Sequence, residues 1–438
     1  MRPIPRPALP SKLRRTRLLW LARRQFQRRA LFVLGGVAVG AAAIGLALAA
    51  DWASGVFDGL YARWPLAVLL LTPAGFALSN WLARRYFPNS GGSGIPQVIA
   101  ARALDSRAAR ERLVSLKMAA GKSALLVLGL LCGGSIGREG PTVQVGASIM
   151  FAVGRLTLRR QPGLLLAGAG AGVAAAFNTP LAGIVFGIEE MSRSFETRTT
   201  GVVLGTIIAA GLTSLFLRGD YTYFGVTQVE LGGAAGWIAL PVLAAAAGLL
   251  GGGFGRGLVL AAGPNGLGRM IRSRPVLFAA GCGLVVAACG LLSDGGTFGT
   301  GYAQARALVQ HEAGVPVAAF GVLKFVASLA SAVAGIPGGI FAPSLSVGAG
   351  LGANAAALLP GVPAAALVVI GMVAYFSGVV QAPLTAFVIV NEMTGDHAMI
   401  VPLMLASLIG YGASKLVCKE GVYHALSHNF IAAGRPPG

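Results

Sequence analysis

Charge is scarce in this 438-residue sequence: Asp, Glu, Lys and Arg together make up 11%, under half of the roughly 25% usual in soluble proteins. A soluble body of this size cannot cover itself with so few charges. Histidine and cysteine are scarcer still, four of each. Cys132, Cys282, Cys289 and Cys418 lie far apart or in apolar segments, with no C-x-x-C pair. They read as small buried hydrophobes, which excludes a disulfide framework or a cysteine zinc site. His424 and His428 share a helical face near the end without further candidate ligands, and read as a terminal helix surface. No metal, cofactor or enzymatic activity is expected.

Apolar residues and glycine are abundant. Hydrophobic residues reach 55%, and the 65 glycines are about twice the usual roughly 7% share. Collagen is excluded because glycine has no three-residue period, and disorder because the apolar content is too high. What remains is an all-α polytopic membrane protein whose helices pack through small residues or break where glycine allows.

The net charge of +20 is unevenly placed. Ten of the 35 basic residues fall in the first 30 positions, which hold no acid. A basic arm can bind nucleic acid, but this one abuts the apolar run 31–50. The positive-inside rule then gives a cytoplasmic N-terminus touching anionic lipid, with no nucleic-acid partner. Arg23-Arg24-Gln25-Phe26 faintly resembles a twin-arginine export signal. The run that follows is long enough to span a bilayer, so it reads as an anchor.

Further apolar stretches fall at about 65–83, 119–136, 163–188, 201–217, 237–262, 276–292, 316–336, 345–359, 364–391 and 399–417. Several are too short or glycine-rich for ordinary spans, so some helices must be tilted, partial or re-entrant. Basic clusters at 84–117, 269–274 and 415–419 mark cytoplasmic loops, while Arg155, Arg159 and Arg160 leave their side open. The expected organisation is a basic segment 1–30, one transmembrane domain 31–430 and a short tail 431–438, with no appended soluble domain.

An internal repeat organises that domain into halves at about 65–217 and 237–425. Gly137-x-x-x-Pro141-x-x-x-x-Gly146-Ala147 recurs 202 positions later as Gly339-x-x-x-Pro343-x-x-x-x-Gly348-Ala349. Lys122 and Lys324 match at the same shift. Pro180-Leu181 leading to Glu190-Met191 matches Pro383-Leu384 leading to Glu392-Met393, at 203 and then 202. Two repeats are a signature of secondary transporters and related channels, whose site lies at the repeat interface.

Three segments, Gly92-Ser93-Gly94-Ile95-Pro96, Gly137-Arg138-Glu139-Gly140-Pro141 and Gly338-Gly339-Ile340-Phe341-Ala342-Pro343, set glycines and then proline before an apolar helical stretch. Proline suits the first helical turn, and glycine lets the backbone approach a ligand. Helix starts carry unpaired N–H groups and the positive dipole end, both of which favour an anion. Glu139 stands out among only 15 acids. At a helix start it can act as a tethered anion: desolvation favours its protonated form and the N–H donors its charged form, so a bound anion and a proton compete through it. A salt bridge to Arg138 is the structural alternative. Glu189 and Glu190 close an apolar run before the polar loop Arg193–Arg198, as solvated helix ends or as a proton relay. Lys122 and Lys324 read as snorkelling or structurally paired.

Two motifs are decoys. Gly133 to Gly137 satisfies G-x-S-x-G without a strand or a His–acid pair. Gly170 to Ala175 satisfies G-x-G-x-x-A with acids about 20 residues on, the one feature favouring a membrane nucleotide-dependent oxidoreductase, but no βαβ pattern surrounds it.

The three helix-start motifs, in this order and followed by Gly421-Val422-Tyr423, resemble the CLC family of chloride channels and proton-coupled chloride transporters, over about residues 31 to 430. The resemblance implies a homodimer with one pore per subunit, built from two inverted halves of tilted and broken helices. It implies that chloride is bound by the Ser93 and Tyr423 hydroxyls, with Gly94 and the backbone N–H groups of Ile340 and Phe341. Gly137, Arg138, Gly140, Pro141, Gly339 and Lys122 would support this filter. Glu139 would be the outer gating glutamate and Glu190 the inner proton-transfer glutamate. Ser93 fits a chloride preference, and retention of both acids fits an exchanger over the alternative, a passive chloride channel. Gln97 replaces a frequent acid of the family, and the nucleotide-binding domains of many eukaryotic members are not expected.

Overall fold

Proline and glycine cut the apolar runs into more helices than a count of hydrophobic stretches gives. The computed structural model describes residues 11–157, 161–192, 200–219, 222–312 and 317–434; Arg159, Arg160 and the loop 193–199 lie outside them. Among the described residues there are nineteen α-helices and no strand. The first half of the chain holds α1 (Ser11–Arg63), α2 (Val68–Tyr86), α3 (Ile95–Ala103), α4 (Arg107–Leu113), α5 (Leu116–Leu131), α6 (Glu139–Thr157), α7 (Gln161–Phe177), α8 (Pro180–Phe186) and α9 (Thr200–Arg218). The second holds α10 (Ala234–Ala262), α11 (Gly266–Ser273), α12 (Pro275–Leu292), α13 (Tyr302–Val309), α14 (Val317–Val333), α15 (Phe341–Leu358), α16 (Ala364–Val380), α17 (Pro383–Thr394), α18 (Ile400–Val417) and α19 (Val422–Gly434).

Among the described residues, six helical stretches are long and apolar enough to cross a membrane, and four more are apolar but shorter. The chain is a transmembrane protein. Its surface carries Leu70, Leu358, Leu416 and Phe216 between 78% and 88% exposed, while Lys122, Glu139 and Lys324 are completely buried. That arrangement suits a body solvated by lipid outside and by its own polar groups within.

The runs 163–188 and 364–391 are each broken once, at equivalent places. Asn178 (φ 56°) ends α7 and Gln381 (φ 59°) ends α16, both left-handed, 203 positions apart. Each is followed two residues later by a proline, Pro180 or Pro383, that starts the next helix. A left-handed residue closes the old helix, and the residue before proline is pushed out of the helical region, so neither run continues as one helix.

Glycine sets the closest crossings. A Cβ on Gly146 of α6 would lie 2.3 Å from the Gly168 carbonyl oxygen of α7, and one on Gly348 of α15 would lie 2.5 Å from that of Gly371 in α16. Small residues let helix backbones touch where lipid supplies no hydrophobic drive. At the centre, Gly137 and Gly339, equivalent across the repeat, exchange backbone hydrogen bonds of 2.7 Å in both directions as an antiparallel bridge. Such an exchange between equivalent residues puts a pseudo-two-fold axis between them.

Candidate functional site

The glycines that precede α3, α6 and α15 meet at this axis. Gly92 N donates to the Ile336 carbonyl (3.0 Å), and Gly338 N to that of Gly92 (3.2 Å), which ties the α3 start to the α15 start. A Cβ on Gly140 would lie 2.3 Å from Ser93 Oγ and 3.2 Å from Gly339 Cα, so no larger residue fits. Gly94 holds φ +103° at the N-cap of α3, a conformation that glycine adopts without strain. Ile340 is the N-cap of α15 and Phe341 its first residue, so their N–H groups belong to the set a helix leaves unpaired. Pro141 and Pro343 each stand in the first turns of α6 and α15.

Tyr423 brings its hydroxyl to the same place from α19. It is completely buried, its ring centroid is 5.9 Å from that of Phe341, and its hydroxyl faces Ser93, yet neither hydroxyl completes a hydrogen bond among the described residues. Ser344 Oγ is buried and unsatisfied too. Orphaned polar atoms cost about 1–3 kcal/mol each. Hydroxyl donors and helix-start N–H groups gathered at one place can recover that cost by coordinating an anion.

Glu139 is the first residue of α6, and its Oε1 accepts a 2.8 Å hydrogen bond from Tyr302 Oη at the start of α13. Arg138 does not close on it. Its Nη1 donates to Ala47 O (2.9 Å) and pairs with Asp51 Oδ1 (2.5 Å), while Nη2 donates to Tyr223 Oη (2.8 Å). Arg218 meets the other Asp51 oxygen at 2.6 Å. These groups floor a cavity of about 780 Å³ lined by Asp51, Arg138, Arg218, Tyr223, Tyr302 and Arg306.

Glu189 and Glu190, adjacent in sequence, are placed differently. They sit in a π-turn, Gly187–Ser192. Glu189 accepts from Leu384 N (3.0 Å), Thr385 N (2.6 Å) and Thr385 Oγ1 (2.7 Å), capping α17. Glu392 of α17 returns the arrangement, accepting from Leu181 N (3.2 Å) and Ala182 N (2.7 Å) of α8. The structural equivalent of Glu392 is therefore Glu189, at the 203 shift, and not Glu190. A π-turn, bonded i to i+5, takes up one extra residue, which is why the repeat offset falls from 203 to 202 across it.

Glu190 is 4% exposed, and His424 Nδ1 lies 3.2 Å from its Oε1. His424, 15% exposed, is thus not on the exposed helix surface its spacing suggested: it faces Glu190 of the π-turn. Glu190 and His424 share a cavity of about 370 Å³ with Gln381, Tyr411 and Lys415. His428 stays exposed, 3.5 Å from Glu420.

The buried lysines do not snorkel. Lys122 Nζ donates to Ser90 O (2.8 Å), in the loop that leads to Ser93, and Lys324 Nζ to Thr297 O and Gly299 O (both 2.9 Å). Gln97 Nε2 donates to Asn89 O (3.1 Å) and Gly91 O (2.7 Å), fastening the same loop without an acid. Neither decoy has its frame: Gly133 to Gly137 is the loop before α6, and Gly170 to Ala175 is the middle of α7. Tyr302, Tyr223, Asp51 and His424 were not singled out as site residues by sequence.

The chain is similar to known proteins over nearly its whole length. The family model described as voltage gated chloride channel matches residues 75–415. The H+/Cl− exchange transporter ClcA of Yersinia pseudotuberculosis is 31% identical over 91% of this chain and 86% of its own. That of Cronobacter sakazakii is 32% identical over 86% and 84%. Among solved structures, a slow cyanobacterial Cl−/H+ antiporter superposes with a TM-score of 0.78 at 26% identity, covering 92% of this chain and 98% of the other. With the helix order above, these matches show that the chain belongs to the voltage-gated chloride channel (CLC) family.

Proposed function

We propose that this protein exchanges chloride for protons across a membrane. The observation that carries the reading is Glu139: a carboxyl buried at a helix start, directly beside hydroxyls and N–H groups suited to an anion. Chloride is held by Ser93 and Tyr423 hydroxyls with Gly94 and the N–H groups of Ile340 and Phe341. The Glu139 carboxylate competes for the same electropositive helix ends, and protonation removes its charge and its claim on them. Glu190, next to the smaller cavity, passes the proton to and from the other side, away from the chloride path. Arg138 serves as support, held by Asp51 and Tyr223, and Gly137, Gly140, Pro141, Gly339 and Lys122 shape the filter.

The retained pair of acids supports an exchanger over a passive channel, and the relatives named as H+/Cl− exchange transporters support it too. The reading includes a homodimer with one pore per subunit, in the cell's inner membrane if the source is bacterial. Both termini then face the cytoplasm, where the excess of basic residues belongs. The test is flux through reconstituted vesicles at several pH values. Wild-type chloride flux should fall as pH rises and the carboxylate stays charged, while Glu139→Gln should carry chloride at a rate independent of pH. A retained pH response in that variant would remove Glu139 from the gate.

A further inference from the structure

The loop before α13 repeats the loop before α3. Gly92-Ser93-Gly94-Ile95 and Gly299-Thr300-Gly301-Tyr302 align 207 positions apart. Their glycines are left-handed at matching places, φ +68° and +103° in the first, +62° and +83° in the second. Lys122 holds the carbonyl of Ser90 and Lys324 that of Thr297, each two residues before the first glycine. The first loop delivers Ser93 to the anion site, and the second delivers Tyr302 to Glu139.

Resting on the reading of Glu139 given above, we propose that Tyr302 is the outer latch of the gate, a positioning residue whose phenol holds the charged Glu139 carboxylate seated and lets it go when the carboxylate takes up a proton. Tyr302 Oη donates to Glu139 Oε1 at 2.8 Å, and the ring lines the large cavity, so the phenol stands between that cavity and the carboxylate. Its position is fixed from three sides. The ring packs on Tyr223 with centroids 4.8 Å apart, and Phe224 lies at 5.9 Å. Tyr223 is itself anchored, accepting from Arg138 Nη2 and donating to Ala176 O at 2.9 Å. Behind the loop, a Cβ on Gly301 would lie 2.4 Å from Ser346 Oγ and 2.8 Å from Lys324 Cε, which leaves the tyrosine little room to withdraw.

The charged and titratable groups facing this pair are Arg138, committed to Asp51 of α1, Tyr223, Tyr423 from α19 and Lys324 from α14. Among the described side chains, the hydrogen bond to the Glu139 carboxylate comes from Tyr302. A donor bonded to the charged form of an acid favours that form. The phenyl ring left by Tyr302→Phe cannot donate, so in that variant the carboxylate should leave its seat and accept a proton at higher pH.

The experiment measures chloride flux against pH in vesicles for wild type, Tyr302→Phe, Glu139→Gln and the double variant. Tyr302→Phe keeps the ring and its stacking on Tyr223, and its folding is checked by wild-type flux on the acid plateau of the pH profile, where the carboxyl is protonated and the latch no longer bears on it. Its flux should decline about one pH unit higher than wild type, the shift of a tenfold change in the proton equilibrium. The double variant should match Glu139→Gln at every pH. If the Tyr302→Phe profile superimposes on wild type or moves to lower pH, the latch is overturned. A flat Glu139→Gln profile would then leave the gating reading standing, whereas a pH-dependent one would remove both.

Discussion

At Glu139 the chain places a carboxyl at the first position of a buried helix and gives its neighbour Arg138 another partner, Asp51. The two charges therefore do not neutralise each other in a closed pair, and Glu139 stays available to exchange a proton or yield to an anion. Glu190 is separated from Glu189 in the same way: one acid is spent on capping α17, and the other faces His424. Glu190→Gln should accordingly abolish proton movement in vesicles while chloride flux persists, and unchanged proton coupling would remove its assigned role. The placement of Glu139 and Ser93 at helix starts was legible in the sequence because helix-start chemistry is local, whereas the residues alone did not separate Glu190 from Glu189. Tyr302 and His424 were not legible, since their partners come from elements far along the chain, 163 positions away for Tyr302. A signal for Tyr302 did exist in the Gly299-Thr300-Gly301 loop, whose match to the Ser93 loop has an offset five positions from that of the other landmarks.

At the scale of elements, α8 and α17 are short helices that cap each other. Glu189 binds the first N–H groups of α17, and Glu392 those of α8. Carboxylates at helix starts satisfy orphan donors and the dipole together. Glu189→Gln and Glu392→Gln should each cost about 1 kcal/mol, read as similar decreases in thermal midpoint in detergent; a marked loss from only one of them would contradict the reciprocal arrangement. Pro180 and Pro383 made these helix starts visible in sequence. The left-handed turns at Asn178 and Gln381 were hidden because neither residue type demands a positive φ, and each lies within a continuous apolar run. The π-turn was present only as a slip of one in the repeat offset, which acquires its meaning once Glu189 and Glu392 are seen in the same role.

For the whole molecule, scarce charge and surplus glycine have one origin. Lipid outside needs no charged surface, and close crossings such as Gly146 on Gly168 and Gly348 on Gly371 hold the interior together. The repeat could be read from sequence, but the axis could not: the reciprocal bonds between Gly137 and Gly339 locate it among the glycines that start the three helices. The proposed anion site thus falls where the two halves meet, with Glu139 bonded to Tyr302 on the side of the larger cavity and Glu190 adjoining the smaller one. The most direct test of coupling between them uses vesicles loaded with high chloride in a low-chloride, less acidic medium, with the voltage clamped by potassium and valinomycin. Chloride leaving the vesicles should drive protons inward against the pH difference, and the medium should become more alkaline. Chloride efflux without any proton uptake would contradict exchange and leave a passive channel.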